Sequence, residues 1–287
     1  DKLILKNGAY VKINAANEVG RLTLNAGTTL EMYASKLDAV EYVQVTGTVM
    51  MDAQSMITTG KVTGTGKIII DATKLTEDTQ VIAANMTGFT GTIEVINNNL
   101  AKVEKTASGV VVKKLVPVAQ NGENLYATLS EALTAAQDGD TINLLWAEGN
   151  APIAMNGSVF GKTVTITGTA KVDWDKGFLF VGRGGEGNGT VIFDNANLTS
   201  ASNSASTGIH VSGREKETTN KYDGTLVIKN SSIELDYLIN KGTMTLDNST
   251  LTVKNGFAVG GRPASETESG VDATATITLN NGSKLGS

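Results

Sequence analysis

Apolar and polar residues alternate with period two in short runs along most of the chain, and the runs repeat. Four segments align without gaps: Gly189-Thr-Val-Ile-Phe-Asp-Asn195, Gly224-Thr-Leu-Val-Ile-Lys-Asn230, Gly242-Thr-Met-Thr-Leu-Asp-Asn248 and Ala275-Thr-Ile-Thr-Leu-Asn-Asn281. The pairs Val191/Phe193, Leu226/Ile228, Met244/Leu246 and Ile277/Leu279 share one parity, so they face a core while the residues between them face out. A second set precedes the first: Gly177-Phe-Leu-Phe-Val-Gly-Arg183, Gly208-Ile-His-Val-Ser-Gly-Arg214, the shorter Asp236-Tyr-Leu-Ile-Asn-Lys241, and Gly256-Phe-Ala-Val-Gly-Gly-Arg262. Aligned on their ends, these give Phe178/Phe180, Ile209/Val211, Tyr237/Ile239 and Phe257/Val259 as inward pairs. Leu198, Ile233 and Leu251 mark a third apolar position, three residues after the terminal Asn of each coil. Three strands per turn, with a corner after each, predict an all-β parallel β-helix whose neighbouring coils pair strand to strand. The shortest full repeat, Leu226 to Met244, is 18 residues.

The first half repeats more loosely. Leu3-Ile-Leu5, Leu22-Thr-Leu24, Val43-Gln-Val45, Ile68-Ile-Ile70 and Ile93-Glu-Val95 each give two apolar residues of one parity followed by small or turn-forming residues, with starts 19, 21, 25 and 25 residues apart. Between the halves, Thr128-Leu-Ser-Glu131 has the form of a capping box, and Leu125, Leu129, Leu133 and Ala136 recur at helical spacing before Gly139. One short helix near residues 128–138 is expected. A boundary near Pro117 to Asn124 divides the chain into a β-repeat unit, 1–117, and a second β-helical unit, 118–287, opened by that helix.

The passage from Tyr126 through Asp138-Gly-Asp-Thr-Ile142, followed by Gly161-Lys-Thr-Val-Thr-Ile-Thr-Gly168, resembles the opening of pectin-lyase-like domains. The resemblance implies a right-handed parallel β-helix in which a short helix plugs the first coil. Gly88-Phe-Thr-Gly-Thr-Ile-Glu-Val95 is similar to phrases in the passenger regions of autotransporter-like bacterial surface proteins. Such folds host lyases, hydrolases, esterases and non-catalytic adhesins, so activity has to be argued from residues.

Composition agrees with many short strands and tight turns: 32 glycines, three prolines and no cysteine in 287 residues. The 24 basic and 29 acidic residues, with no basic run, lack the electrostatic footprint of a nucleic-acid binder. Absence of cysteine excludes a disulfide framework, a thiolate nucleophile and a cysteine zinc site. No stretch reaches the roughly 18 apolar residues of a membrane span. The sequence opens at Asp1 without an apolar signal segment, which reads as a fragment whose signal and anchor lie outside it.

Catalytic chemistry is thinly represented. His210, the one histidine, is expected on an outward face opposite Leu179 and Ala258, with no acidic neighbour in sequence to complete a triad or metal site. Asp173 and Asp175 are the best pair of carboxylates, with Trp174 between them to stack on a sugar, although acids two apart occur on any solvated strand. No cofactor and no metal site are expected. Asp194, Lys229, Asp247 and Asn280 form an outward column, and Asn195, Asn230, Asn248 and Asn281 a corner ladder; both read as stabilisation.

Recognition is expected at one corner. From the residue aligned with Arg183 to the Thr opening the next strand the chain takes 7 steps, then 11 from Arg214 and 14 from Arg262, but only 2 from Lys241. Long loops at one corner of a stacked fold should form a rim bearing Arg183, Arg214 and Arg262, with Tyr222 among them, suited to polar or anionic glycans. The expected function is a non-catalytic, secreted or cell-surface bacterial protein of adhesin type that binds a glycan or host macromolecule. A polysaccharide-active enzyme fragment and a structural stalk are the rival readings.

Overall fold

The computed structural model describes residues 1–182, 187–211, 224–259 and 275–286. Within them the chain is almost entirely β-strand, with one helix, and falls into two compact units, Asp1–Val116 and Pro117–Ser287.

In the first unit the chain alternates between two sheets. Lys2–Leu5, Asn17–Leu24, Lys36–Val45, Met56–Gly64 and Thr79–Phe89 pair in parallel in that order. Tyr10–Ile13, Thr29–Met32, Thr48–Asp52, Lys67–Asp71 and Thr92–Ile96 form the second parallel ladder. Register shifts within the longer strands, between Val19 and Arg21 and between Ala39 and Val43, divide each into two segments. Inward residues such as Leu22, Leu24, Leu30, Met32, Val43 and Ile70 fill the core. The five apolar pairs taken from the sequence as one ladder are in fact split between two: Leu3–Leu5, Leu22–Leu24 and Val43–Val45 belong to the first, Ile68–Ile70 and Ile93–Val95 to the second. Val43 pairs with Val62, in a segment with a single apolar residue that an apolar-x-apolar pattern misses, whereas Ile68 pairs with Val49.

An antiparallel hairpin, Ala101–Thr106 and Gly109–Lys114, pairs along Thr79–Phe89 and buries Val110 and Val112. Lys105 lies over the Phe89 ring, 5.4 Å from its centroid, and donates to the Phe89 carbonyl.

The second unit opens as the capping box dictates. Thr128 Oγ1 accepts from Glu131 N–H and Glu131 Oε2 accepts from Thr128 N–H, both at 3.1 Å, starting the helix Leu129–Ala135. The helix is shorter than its sequence pattern: Ala136 is already extended, and Asp140 Oδ2 takes the next N–H, from Gln137. Leu129, Ala132 and Leu133 are buried against the first strands, and Lys162 Nζ donates to the carbonyls of Leu133 and Ala136 at 2.7 Å each. That is the favourable place for a cation, at a helix C-terminus.

Beyond the helix the strands pair in parallel. Lys162–Asp173, Gly189–Ser200, Gly224–Lys229, Thr243–Asp247 and Thr276–Asn280 align in the register written from the sequence, Thr190 to Thr225 to Thr243 to Thr276. Val191, Phe193, Leu226, Ile228, Met244 and Leu246 are fully buried, and Leu198, Ile233 and Leu251 stack in register on a second side. Ile277 and Leu279 keep the inward parity, but Leu279 is exposed because no described strand pairs beyond theirs.

At the intervening corner Asn195, Asn230, Asn248 and Asn281 all adopt left-handed backbone, φ 49 to 52°. Asn248 Nδ2 donates to Asn230 Oδ1 at 3.0 Å. A serine ladder follows them. Ser231 Oγ accepts from Ala196 N–H, Ser249 Oγ from Ser231 N–H and Ser283 Oγ from Ser249 N–H. Each hydroxyl donates in turn to a carbonyl of its own corner.

The strands Leu179–Val181, Ile209–Val211 and Ser232–Asn240 correct the sequence reading. Leu179 and Val181 of Leu179–Val181 pair with Ile209 and Val211, and these in turn with Leu238 and Asn240. The inward residues are therefore Leu179/Val181 and Leu238/Asn240, and Phe178, Phe180, Tyr237 and Ile239 face outward, half-buried. Phe-Leu-Phe-Val and Tyr-Leu-Ile are apolar at both parities, so alignment on the flanking glycines and arginines slipped by one residue, which exchanges every side chain between core and surface.

Candidate functional site

The one-residue shift places an aromatic cluster on the outside of the second unit. Phe180 is in register with His210, His210 with Ile239 and Ile239 with Ala258, so these form one outward column; Ala258 stands in it as expected, and Phe180 takes the place of the expected Leu179. The Phe178 ring reaches into the same group. Ring centroids lie 5.4 Å apart for Phe178 and Phe180, 5.8 Å for Phe178 and His210, and 5.5 Å for Phe180 and His210, all tilted. These are favourable spacings for aromatic pairs. Tyr237 lies over Gly256, where an added Cβ would come within 2.3 Å of its ring, so the glycine makes room for the tyrosine. Two phenylalanines, a histidine, a tyrosine and Ile239 make a half-buried, largely uncharged face on a rigid sheet.

That face runs to the corner where the sequence places its long loops. Val181, Val211 and Asn240 are in register, with Val259 opposite Asn240, so successive strands end at one level. The strands that follow also begin in register, at Gly189 and Gly224 and at Thr225, Thr243 and Thr276. Connections of very different length therefore join the same two edges. Arg183, Arg214, Arg262 and Tyr222, the sequence's candidates for ligand contact, lie outside the described residues.

The carboxylate pair does not form a cleft. Asp173 Oδ1 accepts from Asp175 N–H at 2.9 Å, and its other oxygen lies 3.8 Å from Lys176 Nζ. Trp174 is fully buried, its indole N–H donating to the Glu234 carbonyl at 3.0 Å, so it cannot stack on a sugar as the sequence suggested. Alternation alone requires this: with Asp173 and Asp175 facing out, the residue between them faces the core.

The nearest thing to a buried ionic site holds a loop. Asp236 is completely buried; it accepts from Ser200 Oγ at 2.5 Å and from Ser204 N–H at 2.8 Å, and Lys254 Nζ is 3.5 Å away. Burial works to raise its pKa. The hydrogen bonds from Ser200, Ser202 and Ser204, with the Lys254 charge, outweigh burial and hold the carboxyl below its ordinary value. Lys254 also donates to the Ser202 carbonyl, and Asn255 Nδ2 to Asn203 Oδ1 and the Ser204 carbonyl. Every partner belongs to the 200–207 loop or the sheet beneath it, so the cluster fastens that loop. Among the described residues no group of three or more His, Cys, Asp or Glu side chains could hold a metal ion.

Asp194, Lys229 and Asp247 stack as an outward column, with Lys229 Nζ 3.0 Å from Asp194. No helix among the described residues is long and apolar enough to cross a membrane. Compared with protein-family models, curated proteins and solved structures, the chain finds no match.

The sequence carried no usable signal for the aromatic face: Phe178-Leu-Phe-Val181 is apolar-x-apolar at either parity, so an outward His210 leaves the direction of Phe178 and Phe180 open.

Proposed function

We propose that the chain is a non-catalytic, secreted or cell-surface β-helical protein of pectin-lyase-like type that binds a glycan on its side. The in-register parallel ladders, the capping helix and the Asp138-Gly-Asp-Thr-Ile142 opening support the winding, which is right-handed in this reading. The observation that carries the binding function is the outward cluster of Phe178, Phe180 and His210, with Tyr237 on the same side of the sheet, adjoining the corner of variable connections. Aromatic rings on a rigid sheet stack on the apolar face of a pyranose, and a phenol adds a polar handle. The placement of Asp173, Asp175 and Asp236, none of which lines an open cleft, favours binding over hydrolysis.

Glycan-array screening of the chain against the Phe178→Ala/Phe180→Ala variant tests this. The expected result is retained oligosaccharide binding without cleavage in the parent, weakened at least tenfold in the variant. Equal binding by both, or release of reducing or unsaturated ends, overturns the reading.

A further inference from the structure

The outward face of the second unit has a period of its own. One residue before the paired positions Leu179, Ile209 and Leu238 stand Phe178, Gly208 and Tyr237, and Tyr237 pairs in turn with Gly256. Aromatic and glycine thus alternate along one column that crosses the strands. Neither glycine has room for a side chain. A Cβ at Gly208 would come within 1.9 Å of the Tyr237 carbonyl oxygen, and one at Gly256 within 2.3 Å of the Tyr237 ring. The rung between the two aromatics therefore stays free of side chain, and Phe178 and Tyr237 stand two rungs apart, their backbones separated by about 9.6 Å at the strand spacing of a sheet. The neighbouring outward column is Phe180, His210, Ile239 and Ala258. Neither column contains Asp, Glu, Lys or Arg.

A spacing of that length, carried by aromatic rings, selects among glycans. In an extended β-1,4-linked pyranose chain each residue is turned over relative to the one before, so alternate residues, not neighbours, present the same face to the same side. Their separation is close to the two-rung spacing of Phe178 and Tyr237. One such residue can stack on each ring while the residue between them crosses the rung at Gly208. An α-1,4-linked chain coils and carries its third residue out of line. A uronate chain would bring a carboxylate with every residue to two columns that hold no Lys or Arg, where its lost hydration has no ionic compensation. Charge as well as spacing therefore matches a neutral chain.

We propose that the aromatic face takes a neutral β-1,4-linked pyranose chain of at least three residues, laid across the strands with alternate residues on Phe178 and Tyr237. The inference rests on the glycan-binding reading above and adds to it the linkage, the charge and the minimum length. Once one residue is stacked, the second contact is intramolecular, so affinity should step up when the chain is long enough to reach both rings.

Isothermal titration of the chain with cello- and manno-oligosaccharides of two, three and four residues reads that step. The expected result, in at least one series, is an affinity at least tenfold higher for three residues than for two, with little further gain at four. In Tyr237→Ala the step should vanish, the trisaccharide falling to the level of the disaccharide, and Tyr237→Phe should restore it. Tryptophan-detected melting, which reports the second unit, checks that both variants are folded, and the length profile of the parent stands without either. Maltotriose and trigalacturonate should bind at least tenfold more weakly than the preferred trisaccharide. A smooth rise with length, a step that survives in folded Tyr237→Ala, or equal binding of maltotriose or trigalacturonate overturns the proposal. Glycan binding that depends on Phe178 and Phe180 but shows no step at three residues removes this inference and leaves the glycan reading standing. Absence of all glycan binding removes both.

Discussion

Both units stack parallel strands, and one line of corners in each is locked by different chemistry. In the first unit the corners at Gly47, Gly66 and Gly91 sit backbone on backbone: a Cβ at Gly66 would lie 2.3 Å from the Gly47 carbonyl oxygen, and one at Gly91 1.9 Å from that of Gly66. Lys67 N–H and Thr92 N–H donate to those same carbonyls. In the second unit Asn195, Asn230 and Asn248 turn the chain and Ser231 and Ser249 carry the hydrogen bonds from coil to coil. Close approach of bare backbone and a ladder of small polar side chains thus do the same work. They fail differently when mutated, because the first tolerates no added atom and the second loses one hydrogen bond at a time.

Gly91→Ala should be the most damaging change, costing about 3–4 kcal/mol, because the Cβ meets a backbone oxygen and the Phe89 ring, neither of which can retreat cheaply. Both tryptophans, Trp146 and Trp174, belong to the second unit, so their fluorescence reports that unit alone. Hydrogen exchange of the first unit should accelerate while the tryptophan-detected transition stays put. A Gly91→Ala chain with unchanged exchange would mean the corners are not backbone-locked.

Asp236→Ala is expected to cost about 3 kcal/mol in the second unit, since it leaves Lys254 and the Ser204 N–H without their buried acceptor. Its folded pKa is depressed, so its contribution is full above the unfolded value of about 3.9 and is lost as pH falls below that towards the folded value. Tryptophan-detected melts between neutral pH and about pH 3 should show a steeper loss in the parent than in Asp236→Ala. Parallel curves would remove Asp236 as an anchor.

Ser231→Ala should cost about 1–2 kcal/mol, because the Ala196 N–H loses its acceptor at a buried corner. Denaturant midpoints with tryptophan detection measure it, and a neutral result would mean the serine ladder is dispensable. The smallest effect sharpens the contrast between corners. Asn248→Ala should cost about 1 kcal/mol for left-handed backbone, whereas Asn248→Gly should stay within a few tenths. Equal losses would assign the role of Asn248 to its amide bond with Asn230 rather than to its backbone.

Much of the second unit was legible because its strands mark themselves. A Gly-Thr start, strict alternation and a terminal Asn fix register at Gly189–Ser200, Gly224–Lys229 and Thr243–Asp247, and the capping box fixes the helix start. The first unit was less legible because its ladders include segments with one apolar residue, such as that around Val62, and one line of its corners is glycine, at Gly47, Gly66 and Gly91, which leaves no side-chain signature. The candidate site was misplaced for a related reason: Phe178 and Phe180 look like core, and size and hydrophobicity do not state direction.

The sequence by itself determined the all-β class, the repeat, the position of the helix and the inward face wherever polar residues alternate with apolar ones, since only one parity of such a strand can be buried. Where both parities are apolar, as in Phe178-Leu-Phe-Val181 and Tyr237-Leu-Ile239, only the tertiary structure decided. There the choice is made by the coils above and below, whose hydrogen-bond register turns Leu179, Val181 and Leu238 to the core and leaves the aromatic rings outside.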